Sequence, residues 1–220
     1  MSSDANGLQS SSPTSKVRVL MTLRPPHARL GVVCFVLSAA ILGAMACGDP
    51  NKPAATIPIT YDTLTAYSLT MADATQPTAF DLATSSLVIP DGSLNFDIAF
   101  NVEGSNVVVY PAKLVVTAAG IPRVVGLQLI QHQFFEAIDI ASHNGYEFND
   151  SLLVKPGQIF EVVTQNTSAC TAVSITSQEL LYAKFQIDSI DPPAGLIHFR
   201  AVVDPNCDYD TLVPGAIPSH

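Results

Sequence analysis

Three histidines in the second half of the chain are the residues best suited to bind a ligand. His132 precedes two phenylalanines, His143 lies in a Ser-His-Asn-Gly turn, and His198 belongs to a strand face that we expect to be exposed. A neutral imidazole can bind haem iron or another metal through one ring nitrogen while a carboxylate or carbonyl holds the other. We therefore predict His132 and His143 as ligand-binding residues. The alternative is that both are ordinary surface-loop residues.

An acidic run near the end of the chain could hold a metal. Asp204, Asn206, Asp208 and Asp210 place an oxygen-bearing side chain at every second position. Calcium loops use this spacing because alternate side chains can curl around a hard cation. Tyr209 stands where such loops carry glycine, so a solvated turn is the alternative interpretation.

Motifs of the common enzymes are absent from the sequence. It has no G-x-S-x-G elbow, no H-E-x-x-H, no phosphate-binding loop and no cysteine beside a histidine. Its carboxylates are scattered over alternating positions, as is usual on the solvated face of a sheet. We predict a protein that is not an enzyme, with a hydrolase as the remaining alternative.

An apolar stretch near the start of the chain predicts export. Residues 30–46 carry no charge, and Arg24 and Arg29 precede them. A positive region, an apolar region and small residues before a cut make up a secretory signal. We assign residues 1–46 to this signal, with Met21 as a possible true start.

The end of this signal resembles a bacterial lipobox. It reads Ala44-Met45-Ala46-Cys47, and in such motifs the cysteine after the cut receives a diacylglycerol. We predict that lipid on Cys47 holds the protein in a membrane of the bacterial cell envelope. One alternative is ordinary signal cleavage that releases a soluble protein. Another is a retained anchor, although residues 30–46 are fewer than the roughly 20 needed to span a bilayer.

Charge and cysteine use agree with this placement. Removal of residues 1–46 takes four of ten basic residues and one of nineteen acidic residues, which leaves a net charge of −12. So acidic a chain argues against nucleic acid as a partner. Cys34 lies in the signal and Cys47 takes the lipid. Cys170 and Cys207 then remain as a pair, which predicts one disulfide in an oxidising compartment.

Alternating patterns after residue 60 predict an all-β fold. Residues 94–102 alternate with one face apolar, residues 107–110 are a continuous run of three β-branched valines and a tyrosine, and the turn at residues 103–106 joins the two. A second pair comprises residues 181–188 and 197–203 around a Pro-Pro-Ala-Gly turn, with Tyr182 and Lys184 on the outward face. Residues 124–130 and 152–164 add further strands, the latter with a turn at Lys155-Pro156-Gly157. Only residues 134–140 have helical spacing.

We therefore expect one antiparallel domain after the signal, either a sandwich or a closed sheet. The domain would comprise residues 61–220. Residues 47–60 are rich in Pro and Ala and predict a tether between the lipid and the domain.

Two phrases within these strands are similar to one family. Residues 95–100, Asn-Phe-Asp-Ile-Ala-Phe, resemble the D-W-D-I-A-F phrase of the HmuY-like haem-binding lipoproteins. Residues 182–187, Tyr-Ala-Lys-Phe-Gln-Ile, resemble that family's Y-A-K-F-Q-I segment. The resemblance implies an envelope protein that binds haem between side chains of its loops.

Two non-catalytic functions follow from these observations. A module for haem or another ligand predicts a pocket lined by His132 or His143. A structural or protein-interaction lipoprotein predicts instead an apolar or aromatic patch around Tyr61, Tyr67 or Tyr110. Its partners would be other envelope proteins.

Overall fold

The computed structural model of the protein describes residues 54–90, 95–116, 123–166, 169–170 and 179–219. Almost all of its regular structure is β, as the sequence predicts. The strands are β1 (Thr60–Tyr67), β2 (Ala79–Asp81), β3 (Ser86–Val88), β4 (Ile98–Glu103), β5 (Asn106–Pro111), β6 (Val124–Ile130), β7 (Leu152–Val154), β8 (Ile159–Gln165), β9 (Leu180–Asp191) and β10 (Leu196–Asp204). One short helix, α1 (Ala112–Val115), follows β5.

The strands form two antiparallel sheets of five strands each. Sheet A has the order β1-β10-β9-β8-β6, and sheet B has the order β3-β2-β4-β5-β7. The hairpin turn predicted at residues 103–106 joins β4 and β5, with Glu103 opposite Asn106 and Gly104 at φ +63°. The turn predicted at residues 155–157 is also present. It carries the chain from sheet B to sheet A, because β7 pairs with β5 and β8 pairs with β9.

Aromatic side chains fill the space between the sheets. Phe80 of sheet B lies 5.2 Å from Phe185 of sheet A, and Phe185 stacks on Phe160 at 5.1 Å. Phe100 and Phe199 complete the contact, with ring centroids 5.0 Å apart. All five rings are fully buried, and for Phe100, Phe185 and Phe199 this confirms the face that the alternating pattern assigns to the core.

The outward face of β4 is also buried, contrary to the one-sided pattern. Ala99 and Asn101 are 0% and 7% exposed, and Asp97, which precedes β4, is 0% exposed because it lies between the two sheets. Ala99 packs with Phe96 and Ala112 beneath α1, and Asn101 accepts hydrogen bonds from the turn after β1. Short segments on the outside of sheet B therefore cover a face that we expected to be solvated. Leu94 lies outside the described residues.

The outer face of sheet A is covered as well. Residues 131–149, which we call the strap, lie across it together with residues 205–219, the C-terminal segment. Tyr182 and Lys184 of β9, which we expected on an outward face, are consequently 8% and 1% exposed, whereas Asp188 on the same face is exposed.

The helix predicted at residues 134–140 is also wrong. The strap forms only a three-residue 3₁₀ turn, Phe135–Ala137, closed by Ala137 N–H donating to Phe134 O at 3.0 Å. The chain does not continue as a helix because its next carbonyls bind a side chain of sheet A, as described below. Among the described residues, no helix is long and apolar enough to cross a membrane.

Candidate functional site

Residues that the sequence singled out separately meet on the outer face of sheet A. Beneath the strap lies an apolar cluster to which sheet A contributes Ile159, Val163, Tyr182 and Val202. Phe135, Ile138, Ala141 and Leu212 cover these side chains from the strap and the C-terminal segment. The strap pairs with sheet A at the bridge between Glu147 and Leu127 of the edge strand β6. The part of the strap that lies across the face of the sheet needs other partners for its backbone polar groups.

Lys184 supplies one such set of partners. Its Nζ donates to Phe135 O at 2.9 Å and to Ile138 O at 2.6 Å, and it lies 4.8 Å from the centre of the Phe135 ring. Burial lowers the pKa of Lys184, and the charges of Asp139, Glu136 and Glu161 oppose that change. A lysine that the pattern placed in solvent is therefore an internal attachment point for the strap.

Glu161 fixes the second half of the strap. It lies opposite Lys184 in the β8–β9 register and is 1% exposed. Its Oε2 accepts hydrogen bonds from Ser142 N–H at 2.9 Å and from Tyr146 O–H at 3.1 Å. Burial, followed by the charge of Glu161, raises the pKa of Tyr146, so the phenol remains protonated.

His143 and Asp210, drawn from two separate hypotheses, form one pair. His143 Nε2 lies 2.6 Å from Asp210 Oδ2, and the imidazole is 6.5 Å from the Tyr182 ring. Backbone bonds support the pair, since Ala141 N–H donates to Asp210 O at 2.7 Å. His132 is exposed at the start of the strap, with φ +61°. None of the contacts that hold His143 involves His132.

The acidic run does not gather around one point. Asp204 Oδ1 accepts from the backbone and side-chain nitrogens of Asn206 at 2.9 and 2.8 Å. Asp208 Oδ1 accepts from Leu180 N–H at 3.0 Å, and Asp210 faces His143. No three His, Cys, Asp or Glu side chains in the described ranges are grouped so that they could hold a metal ion. The calcium-loop interpretation therefore has no geometric support here.

Asn206 instead attaches the segment before β1 to the chain that follows β10. Its Oδ1 accepts from Thr56 N–H at 3.0 Å and Ile57 N–H at 3.1 Å, and its Nδ2 donates to Ile57 O at 2.7 Å. The last residues of the predicted tether are thus docked on the domain. The next residue in the chain, Cys207, forms the predicted disulfide with Cys170, with Cα atoms 5.8 Å apart. Both connections fix the chain beyond β10.

An aromatic group with a bound cation lies near the first turn of the strap. Tyr61 contacts Phe135 edge-on at 6.4 Å, and the Arg200 guanidinium lies 5.1 Å from the centre of the Phe135 ring. Phe134 is 80% exposed and Tyr61 is 47% exposed. Arg200 is held in place by Asp188, Glu136 and Gln186. We call Tyr61, Phe134, Phe135 and Arg200 the aromatic tip.

A charged network between the sheets was missed by the sequence analysis. Asp97 is fully buried and its Oδ2 accepts from Arg123 Nη1 at 2.9 Å and from Leu82 N–H at 2.7 Å. Thr164 of sheet A donates to Asp97 Oδ1 at 2.7 Å, and Arg123 also binds Asp81. Burial raises the pKa of Asp97, whereas Arg123 and the hydrogen bonds oppose that rise. Residues 95–100 therefore contain a carboxylate, that of Asp97, whose hydrogen bonds connect the two sheets.

A small cavity opens on the outer face of sheet B. Its volume is about 170 Å³, and it is lined by Leu69, Thr70, Asn101, Tyr110, Leu114 and Val115. Asn101 Oδ1 already accepts from Ser68 and Thr70, and Tyr110 O–H donates to Glu103 at 3.1 Å. Neither His132 nor His143 lines this cavity. Its volume is also below the roughly 300–1,000 Å³ of most small-molecule sites.

Comparison with known proteins does not identify the chain: no protein-family model, no curated protein and no solved structure matches it.

Proposed function

We propose that this protein is an exported, lipid-anchored protein of the bacterial cell envelope that acts as a non-catalytic binding module. The observation that carries the proposal is the pairing of Cys170 with Cys207. A disulfide is typical of an oxidising compartment outside the cytoplasm. With that pair formed and Cys34 inside the predicted signal, Cys47 is the cysteine left for acylation.

The aromatic tip is the surface through which we expect the module to bind a protein partner. Tyr, Phe and Arg are enriched at protein interfaces, and Tyr and Arg often dominate the binding energy. In the aromatic tip Tyr61 and Phe134 are exposed and Arg200 is half-buried. The strap that presents Phe134 is fixed by Lys184 and Glu161, so little ordering remains to be done when a partner binds. This geometry favours the interaction function over the ligand-pocket function.

The polar groups near the strap support a non-catalytic role. Lys184 donates to two carbonyls, Glu161 accepts from Ser142 and Tyr146, and Asn206 holds the tether. The hydrogen bonds of each of these groups position the chain. Structural networks of this kind can shift the pKa values of their members without a catalytic role.

The anchor is tested by fractionating cells that produce the protein. Acyl chains on Cys47 should hold the wild-type protein in the membrane fraction, since each buried CH₂ contributes about 0.8 kcal/mol. Cys47→Ala should move the protein to the soluble fraction. Cys34→Ala is the matched control and should change nothing. Membrane retention of Cys47→Ala would show that lipid on this residue is not the anchor.

The binding surface is tested by site-specific photo-crosslinking in intact cells. A photoreactive phenylalanine analogue at position 134 should give discrete higher-mass adducts. The same analogue at Leu153, which is 51% exposed on sheet B, is the control. Arg200→Ala should reduce the adducts at position 134. Identical adduct patterns from positions 134 and 153 would contradict the assignment of the tip as the binding surface.

Haem binding is a second candidate, and one observation favours it. A carboxylate that holds one nitrogen of an imidazole orients the other toward a metal, and Asp210 holds His143 Nε2 in this way. His143 is the one predicted histidine whose contacts suit it to bind haem iron. His132 takes no part in the His143 contacts, and neither histidine lines the cavity on sheet B. Haem would supply an iron atom, which the other ring nitrogen of His143 would bind.

A haem titration of residues 48–220, followed at the Soret band, tests this candidate. A saturable band that His143→Ala abolishes and Asp210→Asn weakens by roughly 10-fold or more would support it. His132→Ala serves as the comparison, since the geometry gives that residue no matching partner. A flat titration of the wild-type domain would eliminate haem.

A further inference from the structure

The two chain segments that meet at the tether are free of charge. Residues 54–61 and 211–219 contain no Asp, Glu, Lys, Arg or His, although the chain as a whole is acidic. Three aliphatic side chains in these segments are exposed: Ile57 at 49%, Val213 at 38% and Ile217 at 54%. We call these three residues the terminal patch.

Hydrogen bonds place the two segments side by side. Ile59 N–H donates to Ala216 O at 2.9 Å, and Gly215 N–H donates to Ile59 O at 2.9 Å. Asn206 holds Thr56 and Ile57 on the same part of the domain. The terminal patch therefore surrounds the point at which the chain joins the domain.

We propose that the terminal patch lies on the surface of the lipid bilayer into which the lipid on Cys47 is inserted. This inference rests on the proposed lipid anchor. An extended chain spans at most about 3.6 Å per residue, so Thr56 is within roughly 30 Å of the acylated Cys47. Because Asn206 fixes Thr56, the end of the domain that carries the terminal patch is the end tied to the membrane.

Charge determines which surface of the domain can lie against the membrane. Anionic lipid headgroups repel the acidic surface of the rest of the domain. The terminal patch lacks that repulsion, and isoleucine and valine gain free energy by entering the boundary between headgroups and acyl chains. Since the patch has no basic residue, the contact should depend on apolar burial and should persist at high salt.

A fluorescent reporter in the acylated full-length protein tests the contact. Ile217→Cys and, as control, Leu153→Cys are each labelled with an environment-sensitive dye; the two native side chains are 54% and 51% exposed. The proteins are reconstituted into phosphatidylcholine vesicles with and without a nitroxide-labelled lipid. At position 217 the emission should shift to shorter wavelength, and lipid nitroxide should quench it at least roughly twofold more than at position 153. Ile57→Ser with Val213→Ser should reduce that difference while flotation with vesicles is retained.

Failure of this inference is distinguishable from failure of the anchor. Equal quenching at positions 217 and 153 in protein that carries acyl chains and floats with vesicles would overturn the terminal-patch contact alone. A mass that shows no acyl group on Cys47 would overturn the anchor, and the membrane contact with it. Quenching at position 217 that disappears in high salt would also contradict an apolar contact.

Discussion

Asp97 and Lys184 are both buried charged groups, but they are satisfied in different ways. Asp97 lies between the sheets and faces a guanidinium, a backbone N–H and a hydroxyl. Lys184 lies outside the sandwich and faces two carbonyls of the strap. The first arrangement joins the two layers of the fold, whereas the second attaches one loop to one layer. Loss of the first should therefore weaken the whole domain, and loss of the second mainly the strap.

The largest effect should come from Arg123→Leu. Removal of the guanidinium leaves Asp97, which is fully buried, and Asp81, which is 5% exposed, without their cation. We expect the free energy of unfolding to fall by about 3–5 kcal/mol, measured by urea denaturation. Arg200→Leu is the matched control, because Arg200 pairs with exposed carboxylates and should contribute at most about 1 kcal/mol. Equal losses in the two variants would refute a special role for the network.

Lys184→Met should have a smaller and more local effect. Methionine fills most of the lysine volume but leaves Phe135 O and Ile138 O without a donor, which costs about 1–3 kcal/mol. Hydrogen exchange measured by mass spectrometry should accelerate in residues 131–149 and remain unchanged in β2 and β4. Lys155→Met, in an exposed turn, should change stability by less than about 0.5 kcal/mol. Uniform acceleration across both sheets would mean that Lys184 supports the fold as a whole.

Two tyrosine–glutamate hydrogen bonds have equal lengths but differ in burial, so comparing them shows how burial changes the contribution of such a bond to stability. Tyr146 O–H donates to buried Glu161, and Tyr110 O–H donates to Glu103 near the surface, both at 3.1 Å. Tyr146→Phe should cost about 0.5–1.5 kcal/mol, because the carboxylate cannot recover the bond from water. Tyr110→Phe should cost less, since water can replace its hydroxyl. Thermal denaturation of both variants makes the comparison, and a larger loss for Tyr110→Phe would contradict it.

The two charged groups should give small pH dependences of opposite sign. Above the lowered pKa of folded Lys184 and below its usual value of 10.5, the unfolded chain binds more protons, so the free energy of unfolding rises with pH. Above 3.8 and below the raised pKa of Asp97, the folded chain binds more protons, so that free energy falls as pH rises. Lys184→Met should remove the alkaline rise in urea titrations. An unchanged alkaline slope in that variant would show that another group produces it.

Sequence periodicity predicted side chains that lie between the sheets, but it did not predict which residues of the outer faces are buried. Phe185 and Phe199 alternate with polar residues, and a period of two correctly places them in the core. The same rule put Lys184 in solvent, because a local pattern contains no information about a distant segment that covers the strand. The helical spacing of residues 134–140 did not indicate how the strap lies, because its attachment depends on carbonyls whose positions no side-chain pattern reveals.

The prediction of the functional site was limited in the same way, because a local pattern does not show which distant residues come into contact. Elimination among four cysteines was sufficient to pair Cys170 with Cys207. It could not reveal that Arg123 approaches Asp97, or that His143 approaches Asp210, because both contacts join segments far apart in the chain. Aromatic residues near Tyr61 were expected in an interaction module. Their contact with Arg200 emerges only from the β1–β10 register, which sets Thr63 opposite Arg200.

The pairing of the first strand with the last has a mechanical consequence. A pull on the tether acts first on the hydrogen bonds of Thr56 and Ile57 to Asn206, and then on the β1–β10 ladder from Thr60 to Tyr67. When the pull is directed along β1, the ladder is loaded in shear, so all of its register pairs share the force instead of opening one after another. The end of the domain that continues into residues 54–59 therefore resists unravelling when the chain before β1 is pulled.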